Sequence, residues 1–284
     1  MSLELFDTHC HVHEMVRRTT PVYDKWHEDD EKRLKADEPK RTPETILAAA
    51  REAGVHRILC VGTTLADSEL ALEFAAEHEN MWVSIGIHPH EAHDHLSAAT
   101  KRRFARLLED GPIDGKAVAI GECGLDFFYE HSPRESQIEL LKFQIELALE
   151  YDLPLSFHVR EAFDDFWPIF ESYRGANMRG VLHSYTDNMA NLERAVKHGL
   201  YFGVNGIATF VKSEEQRVIY RTIPQQLLLL ETDAPFLTPV PFRGTMCEPR
   251  HVRVTAEFLA DLRGENLEDL AVVTTANARA LLKV

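Results

Sequence analysis

The chain has 284 residues, 44% of them hydrophobic, enough to bury a large core in one α/β barrel or two ordinary domains, so disorder is excluded as a description of the whole. Asp and Glu number 46 against 31 Lys and Arg, and the net charge of −15 disfavours non-specific attraction to nucleic acid or an anionic membrane. No signal-peptide pattern opens the chain and no apolar run approaches the ~20 residues of a membrane helix, which predicts a soluble, cytoplasmic protein without a membrane partner.

The first predicted strand, LELFDTH (3 to 9), runs into His9, His11 and His13 at alternate positions. Side chains two apart in an extended strand share a face, so His9 and His11 are able to hold one ion between them. An enlarged loop follows, and its middle (24 to 41) carries seven acidic and six basic residues. It reads as a solvated helical excursion, placed where it could act as a lid. Next come a helix (43 to 54), the strand VHRILCVG (55 to 62), a helix (67 to 78) and the strand MWVSIGIH (81 to 88), ending at His88. The run HPHEAHDH adds His90, His93 and His95, which read as solvated or helix-capping. AVAIGECG (117 to 124) carries Glu122, a long amphipathic helix spans 133 to 151, and LPLSFHV (153 to 159) carries His158. RGVLHSY (179 to 185) brings His183, a helix over 188 to 199 ends in Gly199, and LYFGVNG (200 to 206) precedes LLLLETD (227 to 233), which closes on Asp233. Prolines in TDAPFLTP stiffen the chain beyond it. Cys10, Cys60, Cys123 and Cys247 form no CxxC pair and read as buried core thiols.

Eight buried strands alternating with helices predict a (β/α)8 TIM-type barrel, one domain over 1–284, in preference to an open Rossmann-like sheet. No GxGxxG follows any strand. Chemistry in such barrels gathers at the C-terminal strand ends, and His9, His11, His88, Glu122, His158, His183 and Asp233 all fall there. All are residue types that ligate metals, so a shared metal centre is expected. The donors suffice for two adjacent divalent ions, with Mg²⁺, Mn²⁺, Zn²⁺ and Fe all compatible, and hydrolysis by a two-metal-activated water follows.

Six ordered segments carry a family resemblance: DTHCH (7 to 11), GIHPH (86 to 90), IGECGLDF (120 to 127), FHVRE (157 to 161), LHSYTD (182 to 187) and LLLETDAPFLTPVPFRG (228 to 244). Together they resemble the TatD family of metal-dependent deoxyribonucleases. The resemblance implies a TIM-like barrel, phosphodiester hydrolysis, and DNA, as single strands or ends, for an exonucleolytic activity. It places His9, His11, Glu122 and Asp233 around one metal, Glu122, His158 and His183 around the other, and His88 beside the substrate phosphate. Asp233 is then the residue that orients the attacking water or accepts its proton. Arg160 and Arg243 are candidate phosphate contacts, or equally ion-pair partners on a solvated rim. His13, Asp187, Cys247 and the long first loop depart from the family pattern, and they bear on substrate choice more than on the ligands. Two other functions fit the same residues: hydrolysis of a small ester, amide or aminoacyl ester, and a metal-binding barrel without catalysis.

Overall fold

A computed structural model describes residues 3–16, 42–109, 115–173 and 175–284; the charged segment 24–41 lies outside the described residues. Eight strands form one parallel sheet in chain order: β1 (Leu5–Cys10), β2 (Val55–Val61), β3 (Met81–Ile85), β4 (Ala117–Asp126), β5 (Leu155–Arg160), β6 (Gly180–Leu182), β7 (Tyr201–Val204) and β8 (Leu228–Leu230). Each overlaps its predicted apolar run. Helices α1 (Val12–Val16), α2 (Pro43–Glu52), α3 (Leu65–Ala76), α4 (Ala98–Glu109), α5 (Arg134–Glu150), α6 (Phe163–Ser172), α7 (Met189–Lys197), α8 (Ile207–Phe210) and α9 (Glu214–Thr222) lie between strands. Two more, α10 (Val252–Arg263) and α11 (Leu267–Leu282), follow β8. The fold is the (β/α)8 barrel that the alternation of runs predicts.

Local chemistry sets the helix ends. Thr42 accepts from the Thr45 N–H ahead of Pro43 to start α2, and Asn188 accepts from the Asn191 N–H to start α7. Gly264, at φ 65°, ends α10 in the left-handed conformation.

Strands covered on both faces need apolar residues on both, and every residue of β1 is buried. One buried cluster gathers Phe6, Leu59, Val61, Ala119, Val181 and Leu229 with Leu281 and Leu282 of α11, so the last helix stoppers the barrel interior. The larger cluster, including Leu5, Ile58, Ile120, Phe157 and Leu182, packs against the surrounding helices. The ring closes between β8 and β1 through polar links. Asp7, fully buried, accepts from the Thr232 N–H at 2.9 Å and from its hydroxyl at 2.6 Å. The Asp233 N–H donates to His9 O at 2.8 Å and the His11 N–H to Ala234 O at 2.7 Å. This closure sets His9, His11 and Asp233 side by side. Among the described residues no helix is long and apolar enough to cross a membrane.

Candidate metal centre

β4 runs two residues past its predicted end, to Asp126, so Glu122 stands inside the strand, not at its tip. Its carboxylate is buried and its two oxygens face different donor sets. Oε2 lies 3.3 Å from His9 Nε2 and 3.9 Å from His11 Nε2, while Asp233 Oδ1 lies 3.6 and 3.5 Å from the same two nitrogens. Donors about 2.1 Å from a common ion and 90 to 109° apart sit about 3.0 to 3.4 Å from each other, so this spacing suits one cation. His9 Nε2 is buried without a hydrogen-bond partner, an orphan that an ion would satisfy. Glu122 Oε1 lies 2.8 Å from His158 Nδ1 and 3.0 Å from His183 Nε2, with those two nitrogens 3.4 Å apart. The donors therefore fall into two sets that share one carboxylate, and they fit divalent cations.

The outward nitrogens are held in turn. His11 Nδ1–H donates to Val61 O at 2.7 Å, His158 Nε2–H donates to Asp126 Oδ2 at 3.0 Å, and His9 Nδ1 meets Ser156 Oγ at 3.4 Å. His183 Nδ1 faces Glu231 Oε1 at 3.4 Å without closing a hydrogen bond. Hydrogen-bonded partners such as those of His11 and His158 fix the tautomer and leave the inward nitrogen's lone pair for an ion. His88 differs. Its Nδ1 accepts from the His90 N–H at 3.1 Å, which puts the neutral ring's proton on Nε2, 3.4 Å from Glu122 Oε1. Burial pushes its pKa down to about 3, so the ring is neutral and its inward nitrogen is a donor, not a ligand.

Charge balance without metal shows the same design. Burial works against every charged form here, yet the Asp233 hydrogen bond holds His11 at about 9. Burial also opposes ionisation of Glu122, which the surrounding imidazoles, His183 foremost, hold well below the usual carboxylate range.

A family model described as TatD related DNase matches residues 6–283. The chain belongs to the TatD family. It is 38% identical over 242 residues to the 3′-5′ ssDNA/RNA exonuclease TatD of Erwinia amylovora, covering 83% of this chain and 92% of that one. It is 32% identical to the metal-dependent hydrolase YabD of Bacillus subtilis, covering 99% of both. The crystal structure of the TatD homologue YJJV of Escherichia coli superposes with a TM-score of 0.82 at 28% identity, covering both chains completely. The chain is thus a metal-dependent hydrolase of the TatD family.

Around this TatD-type centre, a cavity of about 520 Å³ opens at the C-terminal end of the barrel, lined by His11, Glu122, His158, His183 and Asp233, with His88 and Arg160 at its wall. Arg160 makes no ion pair among the described residues; its guanidinium lies 4.1 Å from the Phe128 ring centre and 4.7 Å from that of Tyr129. Arg243 is not part of the cavity lining. It donates to Thr238 O at 2.8 Å and lies over Phe210 at 4.0 Å, bracing the loop after β8.

Three residues of the site escape a reading by strand ends. Asp126, fully buried, accepts from His158 and, at 3.1 Å, from His90 Nε2, so His90 lies in the cavity wall instead of in solvent. His93 is exposed, and His95 bonds Glu91 O at 2.8 Å near the end of its short turn. Glu231 accepts from the Ser184 N–H at 2.6 Å beneath His183. Acids inside the apolar runs CGLDFF and LLLLET were the available signal for Asp126 and Glu231, because a buried carboxylate requires partners.

Proposed function

We propose that the chain hydrolyses phosphodiester bonds of DNA from a strand end, as an exonuclease working with two divalent cations. The observation that carries this reading is Glu122, whose two oxygens face separate donor sets at 2.8 to 3.9 Å. Cations bound there supply Lewis acidity and lower the pKa of the water they hold. His9, His11 and Asp233 would hold one, His158 and His183 the other, with Glu122 able to serve both.

The chain's own groups do the rest. Asp233 spends Oδ1 on His9 and His11, which leaves its second oxygen to take the proton of the attacking water. Without a cation, His11's hydrogen bond holds Asp233 ionised, although burial works in the opposite direction; a bound cation would take over that part. His88 presents Nε2–H to a non-bridging phosphate oxygen, as a neutral donor that does not compete for the ions. The cavity has the size of a small-molecule site, so a polymer would enter it by its end. A relative bearing the name of a 3′-5′ ssDNA/RNA exonuclease supports this choice over a passing duplex.

The net charge of −15 favours a second reading, hydrolysis of a small ester or amide, because it repels a polyanion outside the mouth. A parallel assay on short single-stranded DNA and on ester and amide substrates separates the two. Stepwise release of mononucleotides that requires Mg²⁺ or Mn²⁺ and stops with chelator is expected; turnover of esters or amides alone overturns the assignment. Elemental analysis is expected to give two ions per chain in the wild type and a loss in Glu122→Ala, and unchanged stoichiometry would contradict the shared-carboxylate arrangement.

A further inference from the structure

We propose that Phe128, Tyr129 and Arg160 form a stacking platform at the cavity mouth for the base of an unpaired nucleotide. The proposal rests on the phosphodiesterase reading and names the part of the substrate that this rim takes.

Phe128 is 50% exposed and Tyr129 43%, so both rings are partly open to solvent, Tyr129 lying parallel to the His131 ring with centroids 5.6 Å apart. They sit edge to face, with ring centroids 4.7 Å apart. Arg160, from the end of β5, reaches over both rings, with no described carboxylate to neutralise it. Tyr129 and Arg160 line the same cavity as Glu122 and Asp233. An exposed aromatic pair has a bland reading as the frayed tip of a loop, but this loop is tied down from beneath. Asp126 Oδ1 accepts from the Phe128 N–H at 3.0 Å and the Tyr129 N–H at 2.9 Å, while Oδ2 takes His158 and His90. Gln137, fully buried, accepts from the Asp126 N–H and donates to Asp126 O and Ser132 O, clamping both ends of the turn. One carboxylate thus fixes a metal-ligand imidazole and the turn that displays the rings. Exposure of the rings is built in, and its register to the metal centre is fixed.

The chemistry of the patch selects its occupant. Flat π surface next to an unneutralised guanidinium suits a planar heterocycle joined to a phosphodiester. A base inside a duplex has both faces covered by its neighbours, and at a duplex end the one open face is tied to a full base-pair width, whereas an unpaired terminal base is free to turn its face to these rings. The small aliphatic esters and amides of the rival reading carry neither feature. Stacking tolerates every base because each has a π face, so the platform takes unpaired ends without reading sequence.

The test is a cycle between base and ring. Turnover by the metal-loaded enzyme is compared on short single strands, DNA and RNA in separate arms, that end in ordinary nucleotides or in abasic tetrahydrofuran units. Wild type is expected to favour the ordinary strand by roughly 5- to 150-fold, the span of one base stacked on an aromatic side chain. In Phe128→Ala/Tyr129→Ala that ratio is expected to fall toward one, with the loss carried mainly by KM. A ratio unchanged in the variant overturns the platform. Binding is read independently by stopped-flow fluorescence of a terminal 2-aminopurine, quenched by stacking in wild type and unquenched in the variant. If no strand is hydrolysed by wild type, the phosphodiesterase reading falls while the quench still decides the platform: quenching lost in the variant upholds it, and no quenching in wild type ends it. Both rings are exposed, and an unchanged melting temperature in the variant separates loss of stacking from loss of fold.

Discussion

At the residue scale, Asp233 combines a strained backbone with the proton-accepting role proposed for it. Its φ of 62° is left-handed, a conformation that Asp and Asn tolerate better than other side chains, so Asp233→Asn keeps the local backbone. The variant removes the proposed proton acceptor and the proposed charged ligand together, and turnover is expected to fall by about 100-fold or more while circular dichroism is unchanged. Full activity in that variant would end its assigned role. His11 gives a second test, through protons. Without metal its pKa of about 9 means the ring is protonated at neutral pH, and a cation must displace that proton. The sign follows: metal affinity rises with pH by at least about tenfold per unit up to about pH 9, with protons released on binding, because neighbouring carboxylates, against burial, hold His183 and His158 above the ordinary imidazole range as well. Calorimetric titration in buffers of different ionisation enthalpy measures both, and an affinity that is flat from pH 7 to 9 contradicts the protonated ring. The convergence of His9 and His11 on Asp233 was legible in part because strand alternation is a local rule. His13, two residues on, obeys the same alternation yet leaves the site to pair with Asp67 at 2.8 Å, both side chains fully buried. Nothing in local spacing announces a partner 54 positions away.

At the scale of elements, β4 and β5 carry the centre. Gly124 is aligned with His158 across the two strands, and a Cβ at Gly124 would stand 1.8 Å from His158 O, with φ at 151°. Gly124→Ala therefore pushes apart the strands that hold Glu122 and His158. A loss of about 3 kcal/mol is expected, read as a lower melting temperature together with weakened metal retention. A variant with wild-type melting and metal content would show that the strand pair has slack that the coordinates deny. The eight strands were legible because parallel strands buried on both faces appear as continuous apolar runs. The true end of β4 was not, since Asp126 looks like a turn residue until its partners His158, His90 and Gln137 are known. His90 was lost in the same way, grouped with the exposed His93 in one histidine-rich loop.

At the scale of the whole molecule, the charge of −15 sits on a protein proposed to act on a polyanion. Nucleic-acid binders that recruit many phosphates weaken steeply with salt, whereas the attraction proposed here, among the described residues, lies in the cavity at Arg160 and the proposed cations. The prediction is a shallow dependence: kcat/KM on a single strand changes by less than about tenfold between 50 and 200 mM salt, where a binder making 6 to 10 phosphate contacts loses roughly 10³ to 10⁵. A steep fall would reveal a phosphate track outside the cavity and require a larger interface than the one described.

The seam between β1 and β8 carries a last consequence. His9 and His11 precede Asp233, whose N–H bonds to His9 O, by more than two hundred residues. A chain that has not yet reached β8 would hold part of the proposed cation site and lack the carboxylate proposed to take the proton. Hydrolysis would thus have to wait for the last strand to close the ring.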